Sequence, residues 1–325
     1  MKLNVANGQL QVARPNPAAG GTFNFQLSTF NPVRAFSLVE LLIAMALMSL
    51  IVISLMQVFS STQRAFRAGV SQSDVMEGGR AAMDLIATDL RGMAASGGVS
   101  NGAVNFSVEG ISAYDNTYAP LHQSLPGGSD VRTNLLNAIF ILGRENTTWT
   151  GVGYYVDYSA TKTLYPLYRF YVTTNINNNP QSLRVAFFNA INNNLASGQW
   201  TNMSHIIDGV VHLSLNSYDP GGDWIRYDYN FGHSQIPNVN IYKDPSKVWP
   251  ETRFYFFGNT LPMAVELEFA KLEDRAVKRA ESLPNNVPGL PPLDRRSIYL
   301  KDQSGNVHVF RQHIPIPNAA RAAYQ

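Results

Sequence analysis

The sequence predicts an α+β protein: a long N-terminal helix, membrane-spanning in its first half and amphipathic in its second, packed on a β-rich C-terminal head. Three observations predict it. Phe36–Phe59, FSLVELLIAMALMSLIVISLMQVF, is an apolar run that no Pro or Gly interrupts. Met76, Met83 and Leu90 then recur every seven residues, with Ile86 and Met93 on the same stripe, the pattern of a helix packed on one side. Beyond Gly97-Gly98, short runs rich in aromatic and β-branched residues alternate with Asn- and Gly-rich stretches, which reads as strands and turns.

Residues 1–35 come first. They hold Lys2, Arg14 and Arg34 and no acid, and they are rich in Gly, Pro and Asn without periodicity. That composition reads as a segment for processing, a leader, and not as packed structure. Without it the chain carries 22 basic and 23 acidic residues. Near-neutral charge gives no electrostatic footprint for nucleic acid. The chain has no cysteine, so disulfides, a thiolate nucleophile and Cys-based metal sites are excluded.

The apolar run follows. Its 24 residues would extend roughly 36 Å as a helix, enough to cross a bilayer. A cleavable secretory signal needs a shorter apolar core and a small-residue site just after it. The Ala44-Met45-Ala46 triplet instead lies inside the run. Glu40, near the start, is the anomaly, because a carboxylate at mid-membrane costs roughly 2.5 kcal/mol or more. Two readings account for it: a side chain that reaches the interface from near the helix end, or one that needs a cationic partner.

The stretch Arg34-Ala35-Phe36-Ser37-Leu38-Val39-Glu40-Leu41-Leu42-Ile43-Ala44 resembles the processing and methylation motif of type IV prepilins and of the pseudopilins of type II secretion. The resemblance implies that prepilin peptidase cuts between Ala35 and Phe36 on the cytoplasmic side. It implies N-methylation of Phe36 and pairing of Glu40 with the terminal amine of a neighbouring subunit. Ala35 stands where the family usually has Gly, and the 35-residue leader is longer than most. Arg34 on one flank is balanced by Arg64 and Arg67 on the other, so charge does not set the orientation; the resemblance places the leader in the cytoplasm. The partners implied are other minor and major pilins or pseudopilins, prepilin peptidase and an inner-membrane assembly platform. The localisation implied is the inner membrane, then a periplasmic or extracellular filament.

The helix is expected to run through residues 36–96, with Gly97-Gly98 as its stop. Ser73–Met93 resembles the region after the membrane helix in larger minor pilins and the J-type pseudopilin, and Leu261–Asp274 and Val307–Ala319 resemble the closing strands of that group. Within the head, residues 97–325, strands are expected at Asn137–Leu142, Leu167–Thr173, Leu183–Phe188, Val210–Leu215, Arg253–Phe257, Met263–Phe269, Ser297–Leu300 and Val307–Phe310. The last two flank KDQSGN, read as a hairpin. Loops are expected at Asn175–Pro180 and Asn192–Asn194 and a Pro-rich linker at Leu283–Pro292. The charge-dense Lys271–Ser282 reads as a short solvated helix, with partner contact as the lesser alternative.

Catalytic and metal signatures are weak. Gly98-Val99-Ser100-Asn101-Gly102 fits the nucleophile-elbow pattern, but that device needs a strand leading into a helix, and here a helix precedes. No H-x-x-x-H pair or HExxH motif occurs among the six histidines. Asp219, Asp223 and Asp228 could gather oxygens for Ca²⁺, yet their spacing departs from the EF-hand loop. The expectation is a non-enzymatic filament subunit with no cofactor and no metal, a minor pilin or pseudopilin assembled at or near the filament tip. The alternative is a pilus-displayed adhesin or ligand-binding module.

Overall fold

The computed structural model describes residues 37–97, 103–111, 118–160, 162–197, 200–225, 236–243, 252–283 and 295–324. The chain forms two compact units, Met1–Thr62 and Gln63–Gln325. In the first, helix α1 (Leu38–Arg91) begins, and every residue from Ser37 to Phe59 is exposed. Leu, Ile, Val and Met cover all sides of it. Ser49 Oγ donates to the carbonyl of Met45 at 2.6 Å and Thr62 Oγ1 to that of Val58 at 2.9 Å, so both hydroxyls are satisfied within the helix.

In the second unit, the later part of α1 buries Val75, Gly79, Ala82, Met83, Ile86, Ala87 and Leu90. Steps of three and four draw one stripe. Asp74, Glu77, Arg80, Asp84 and Arg91 lie off it and are exposed. Met76, expected on the stripe, is half-buried, and Val75 takes the buried place. The helix also stops before residue 96. Gly92 N–H donates to the carbonyls of Thr88 and Asp89, Met93 bridges Gly143, and Ala94 N–H donates to Leu142 O at 2.8 Å. Pairing with the sheet takes up the backbone that further helical turns would have used.

The strands run β1 (Val104–Gly110), β2 (Leu121–Ser124), β3 (Val131–Asn134), β4 (Asn137–Glu145), β5 (Thr148–Val156) and β6 (Leu167–Asn175). After helix α2 (Gln181–Ser197) come β7 (Met203–Ile207), β8 (Val210–Tyr218), β9 (Trp224–Ile225), β10 (Val239–Lys243), β11 (Thr252–Phe257) and β12 (Ala264–Leu272). Helices α3 (Asp274–Glu281) and α4 (Arg295–Lys301) precede β13 (Val307–Pro315). Among the described residues these make a seven-stranded sheet, β10-β11-β1-β4-β5-β6-β7, a four-stranded sheet, β13-β12-β8-β9, and the β2-β3 pair. Neighbouring strands within the sheets are antiparallel.

Strand β5 shows why the seven-stranded sheet is buried on both faces. Tyr154 reaches Asp89 of α1, while Gly151 and Gly153, on the opposite face by the period of two, lie against Leu183 and Phe187 of α2. A Cβ on Gly151 would stand 2.7 Å from Leu183 Cβ. The two glycines let α2 approach the sheet, so TWTGVGYYV is a strand despite them. One core cluster joins α1, α2 and residues of both large sheets, Phe106, Phe140, Phe187, Leu213 and Phe269 among them. Val265, Leu267 and Phe269 of β12 point into it while Glu266 and Glu268 are half-exposed, the alternation expected there.

Three expectations are corrected. Leu183–Phe188 is helical: Leu183, Phe187 and Ile191 are buried four apart, and Asn179 Oδ1 caps Gln181 N–H at 2.9 Å with Pro180 at the entry. Asn192–Asn194 belongs to the same helix, where Asn194 is buried and donates to Asp157 Oδ2. Ser297–Leu300 lies in α4, with Arg296 and Leu300 buried one turn apart. It reaches β13 through a 3-10 turn at Ser304–Asn306, so KDQSGN is a helix-to-strand connection and not a hairpin. The helix expected at 271–282 is α3, shorter than expected because Lys271 and Leu272 end β12, and it is solvated on one side only: Ala276, Val277 and Ala280 are buried.

Candidate functional site

At the start of α1 the residues explain both where the helix begins and what Glu40 does there. Ser37 Oγ accepts from the backbone N–H of Glu40 at 3.2 Å, and Glu40 Oε2 accepts from the backbone N–H of Ser37 at 3.2 Å. This reciprocal pair is a capping box, in which Ser-x-x-Glu satisfies two helix-terminal N–H groups. Ser37 Oγ also stands 3.3 Å from Glu40 Oε2. The carboxylate additionally sits in the first turn, where the positive end of the helix dipole favours it. Ala35 and Phe36, the expected cleavage and methylation positions, lie outside the described residues. From Leu38 the chain forms one helix long and apolar enough to cross a membrane.

The second unit holds its stretch of α1 by a polar clamp and by close packing. Arg169 of β6 donates through Nε and Nη2 to the two carboxylate oxygens of Asp89, both at 2.8 Å. The Tyr154 hydroxyl donates to the same carboxylate. Such a two-pronged guanidinium–carboxylate pair is among the stronger protein contacts. Burial, and then the Asp89 charge, push the Tyr154 hydroxyl well above the ordinary tyrosine range. The hydrogen bonds it donates to Asp89 likewise raise Arg169 above the usual arginine value. Nearer the start of the buried stripe, Gly79 lies under the Phe310 ring of β13, and a Cβ on Gly78 would stand 2.9 Å from Ile207 Cδ1 of β7. Glycine in a helix interior costs about 1 kcal/mol relative to alanine, and here that cost permits the close approach of two sheets' side chains.

The other candidates resolve into structural parts. The Gly98–Gly102 motif and Asp228 lie outside the described residues, as does His233. Asp219 Oδ1 accepts from the N–H groups of Gly221 and Asp223, both at 2.8 Å, so it shapes a turn. Among the described residues no three His, Asp or Glu side chains gather as a metal-binding group. His212 Nδ1 accepts from Leu135 N–H at 3.0 Å, and its Nε2 stands 3.5 Å from Glu268 Oε2. His308 pairs with Glu273 at 3.2 Å and His205 with Asp208 at 2.8 Å. Asp89, Arg169, Tyr154 and the Gly78-Gly79 pair were not singled out from the sequence. The signal available for the glycines was their position in an otherwise continuous helical pattern.

An apolar, exposed helical segment opened by a Ser-x-x-Glu cap thus precedes a β-rich unit. Residues 31–56 match the family model described as the prokaryotic N-terminal methylation motif. The match takes in Ala35, Phe36, Ser37 and Glu40 together, and it makes the N-terminal segment prepilin-like, a motif of structural rather than enzymatic proteins. Comparison with the curated proteins and with the solved structures found no match.

Proposed function

We propose that the chain is a minor pilin or pseudopilin subunit of a type IV pilus or a type II secretion pseudopilus. Prepilin peptidase removes residues 1–35 by cutting between Ala35 and Phe36, and Phe36 is then N-methylated. Residues 36–59 hold the subunit in the inner membrane with the 97–325 head outside the cytoplasm. The assembly platform then moves it into a filament of other pilins, where spines pack together and Glu40 pairs with a terminal amine. A low-dielectric surround makes that pairing valuable, since an isolated carboxylate there is costly and a partnered one is not.

The observation that carries this reading is the motif match at 31–56 running directly into a helix exposed on every side. A large head crowds a helical shaft, which favours a place at or near the tip and a role in priming assembly. Immunogold labelling and quantitative blotting of sheared filaments test the placement. The expected result is a few copies per filament, concentrated at one end. Label at every shaft repeat would overturn the tip role, and absence from the filament fraction would overturn the subunit role.

A further inference from the structure

Helices α3 and α4 and the Ser304–Asn306 turn border an open cleft of about 700 Å³, lined by Arg275, Lys278, Arg279, Tyr299, Gln303 and Asn306 together with Glu273, Ala276 and Ser282. The acids on and beside α3 are committed to neighbours, and Asp302 does not line the cleft. Glu273 pairs with His308 at 3.2 Å, Asp274 with Lys271 at 2.7 Å, and Glu281 accepts from Leu164 N–H at 3.0 Å. The three cations are exposed, and among the described residues no hydrogen bond or ion pair engages their side chains.

Helix electrostatics explains only part of the cluster. Lys278 and Arg279 sit in the last turn of α3, where the helix dipole favours positive charge. Arg275 sits in the first turn, the end at which the dipole disfavours it. Its place in the cleft therefore has another cause. Gln303 Oε1 accepts from Asn306 Nδ2 at 2.7 Å, an arrangement that leaves the Gln303 NH₂ as a donor, and Tyr299 adds a hydroxyl. Three cations and neutral donors, with the one lining carboxylate, Glu273, paired to His308, suit an anion with several oxygens. The volume falls in the range of small-molecule sites and exceeds what a bare phosphate fills.

We propose that this cleft binds an organic phosphate, an ester carried on a glycerol- or sugar-sized body. The two sources of that chemistry are a phospholipid headgroup and a soluble sugar phosphate. The site lies apart from the N-terminal motif and does not depend on the filament role.

Isothermal titration of the full chain in nonionic detergent tests it, with inorganic phosphate, glycerol 3-phosphate and glucose 6-phosphate as probes and glycerol as the blank. The expected result is saturable one-to-one binding of the phosphate esters. It should weaken at least tenfold in Arg275→Gln and in the Lys278→Gln/Arg279→Gln double variant, and stay unchanged in Arg91→Gln, which does not line the cleft. Circular dichroism melts confirm that the exposed substitutions leave the fold intact. Tighter binding of glycerol 3-phosphate supports the headgroup source, and tighter binding of glucose 6-phosphate the soluble one. No saturable heat with any phosphate, or binding indifferent to Arg275→Gln and to the double variant, would overturn the proposal.

Discussion

Replacing Asp89 by Ala removes one carboxylate and leaves two polar groups stranded. Asp89 is 12% exposed and Arg169 22%, so water regains the guanidinium only in part. Two charge-assisted hydrogen bonds at 2.8 Å and the Tyr154 contact are lost together. Breaking a buried pair typically costs 3–5 kcal/mol, and the residual exposure of Arg169 places the expected loss near the low end, about 3 kcal/mol. Guanidinium unfolding of the full chain in nonionic detergent, followed by tryptophan fluorescence, should show the midpoint fall with the slope unchanged. Removing both partners relieves the stranded charge. Asp89→Leu/Arg169→Leu should therefore be more stable than the sum of its single variants predicts, by about 2 kcal/mol of coupling. A loss under about 0.5 kcal/mol for Asp89→Ala, or strict additivity in the cycle, would refute the clamp.

Gly79→Ala gains about 1 kcal/mol of helix propensity but must displace the Phe310 ring, so a net loss of about 1–2 kcal/mol is expected by urea unfolding, and a gain in stability would contradict the close approach. Glu40→Gln preserves the capping-box geometry, which accepts Gln as well as Glu, yet removes the charge. It should insert in the membrane normally while filament incorporation, read by blotting sheared fractions, falls at least tenfold; incorporation equal to the parent would remove the amine pairing. The His212 imidazole facing Glu268, with Arg311 beside it and burial opposing, holds the Glu268 carboxyl below its ordinary value of 4.5. A folded value lowered in this way adds stability above pH 4.5 that is lost as pH falls through the folded value. Glu268→Gln should flatten that acid arm in melts recorded against pH, and parallel curves for the two proteins would contradict it.

The parts of the fold that were legible in the sequence are those where a single period acts over a long stretch. The apolar run has enough length to be read alone, and β12 alternates cleanly because one face meets the core and the other carries Glu266 and Glu268. Legibility failed where tertiary packing reverses a local signal. The FF pair and Val185 in α2 look like a strand, yet Leu183, Phe187 and Ile191 keep a helical step, and Asn179-Pro180 was a readable start. Gly151 and Gly153 look like breakers in β5 only until α2 is present to use the space. For the candidate site, the prepilin-type motif was legible because the spacing of Phe36, Glu40 and the apolar run carries it. The reciprocal bonds between Ser37 and Glu40 are also written there as Ser-x-x-Glu. Asp89, Arg169 and Tyr154 are far apart in the chain, and no local pattern marks residues that meet only through sheet order.

The capping box also bears on the proposed pairing of Glu40. In the described chain its carboxylate is already occupied by Ser37 N–H, one residue beyond the bond at which the leader is expected to be cut. The carboxylate proposed to meet a neighbouring subunit's amine is thus held in position by its own helix. Mass spectrometry of the N-terminus of the chain, expressed with prepilin peptidase and recovered from membranes, tests that account most directly. A mature chain beginning at N-methylated Phe36 is predicted; an intact Met1, or a new terminus beyond Phe59, would contradict it.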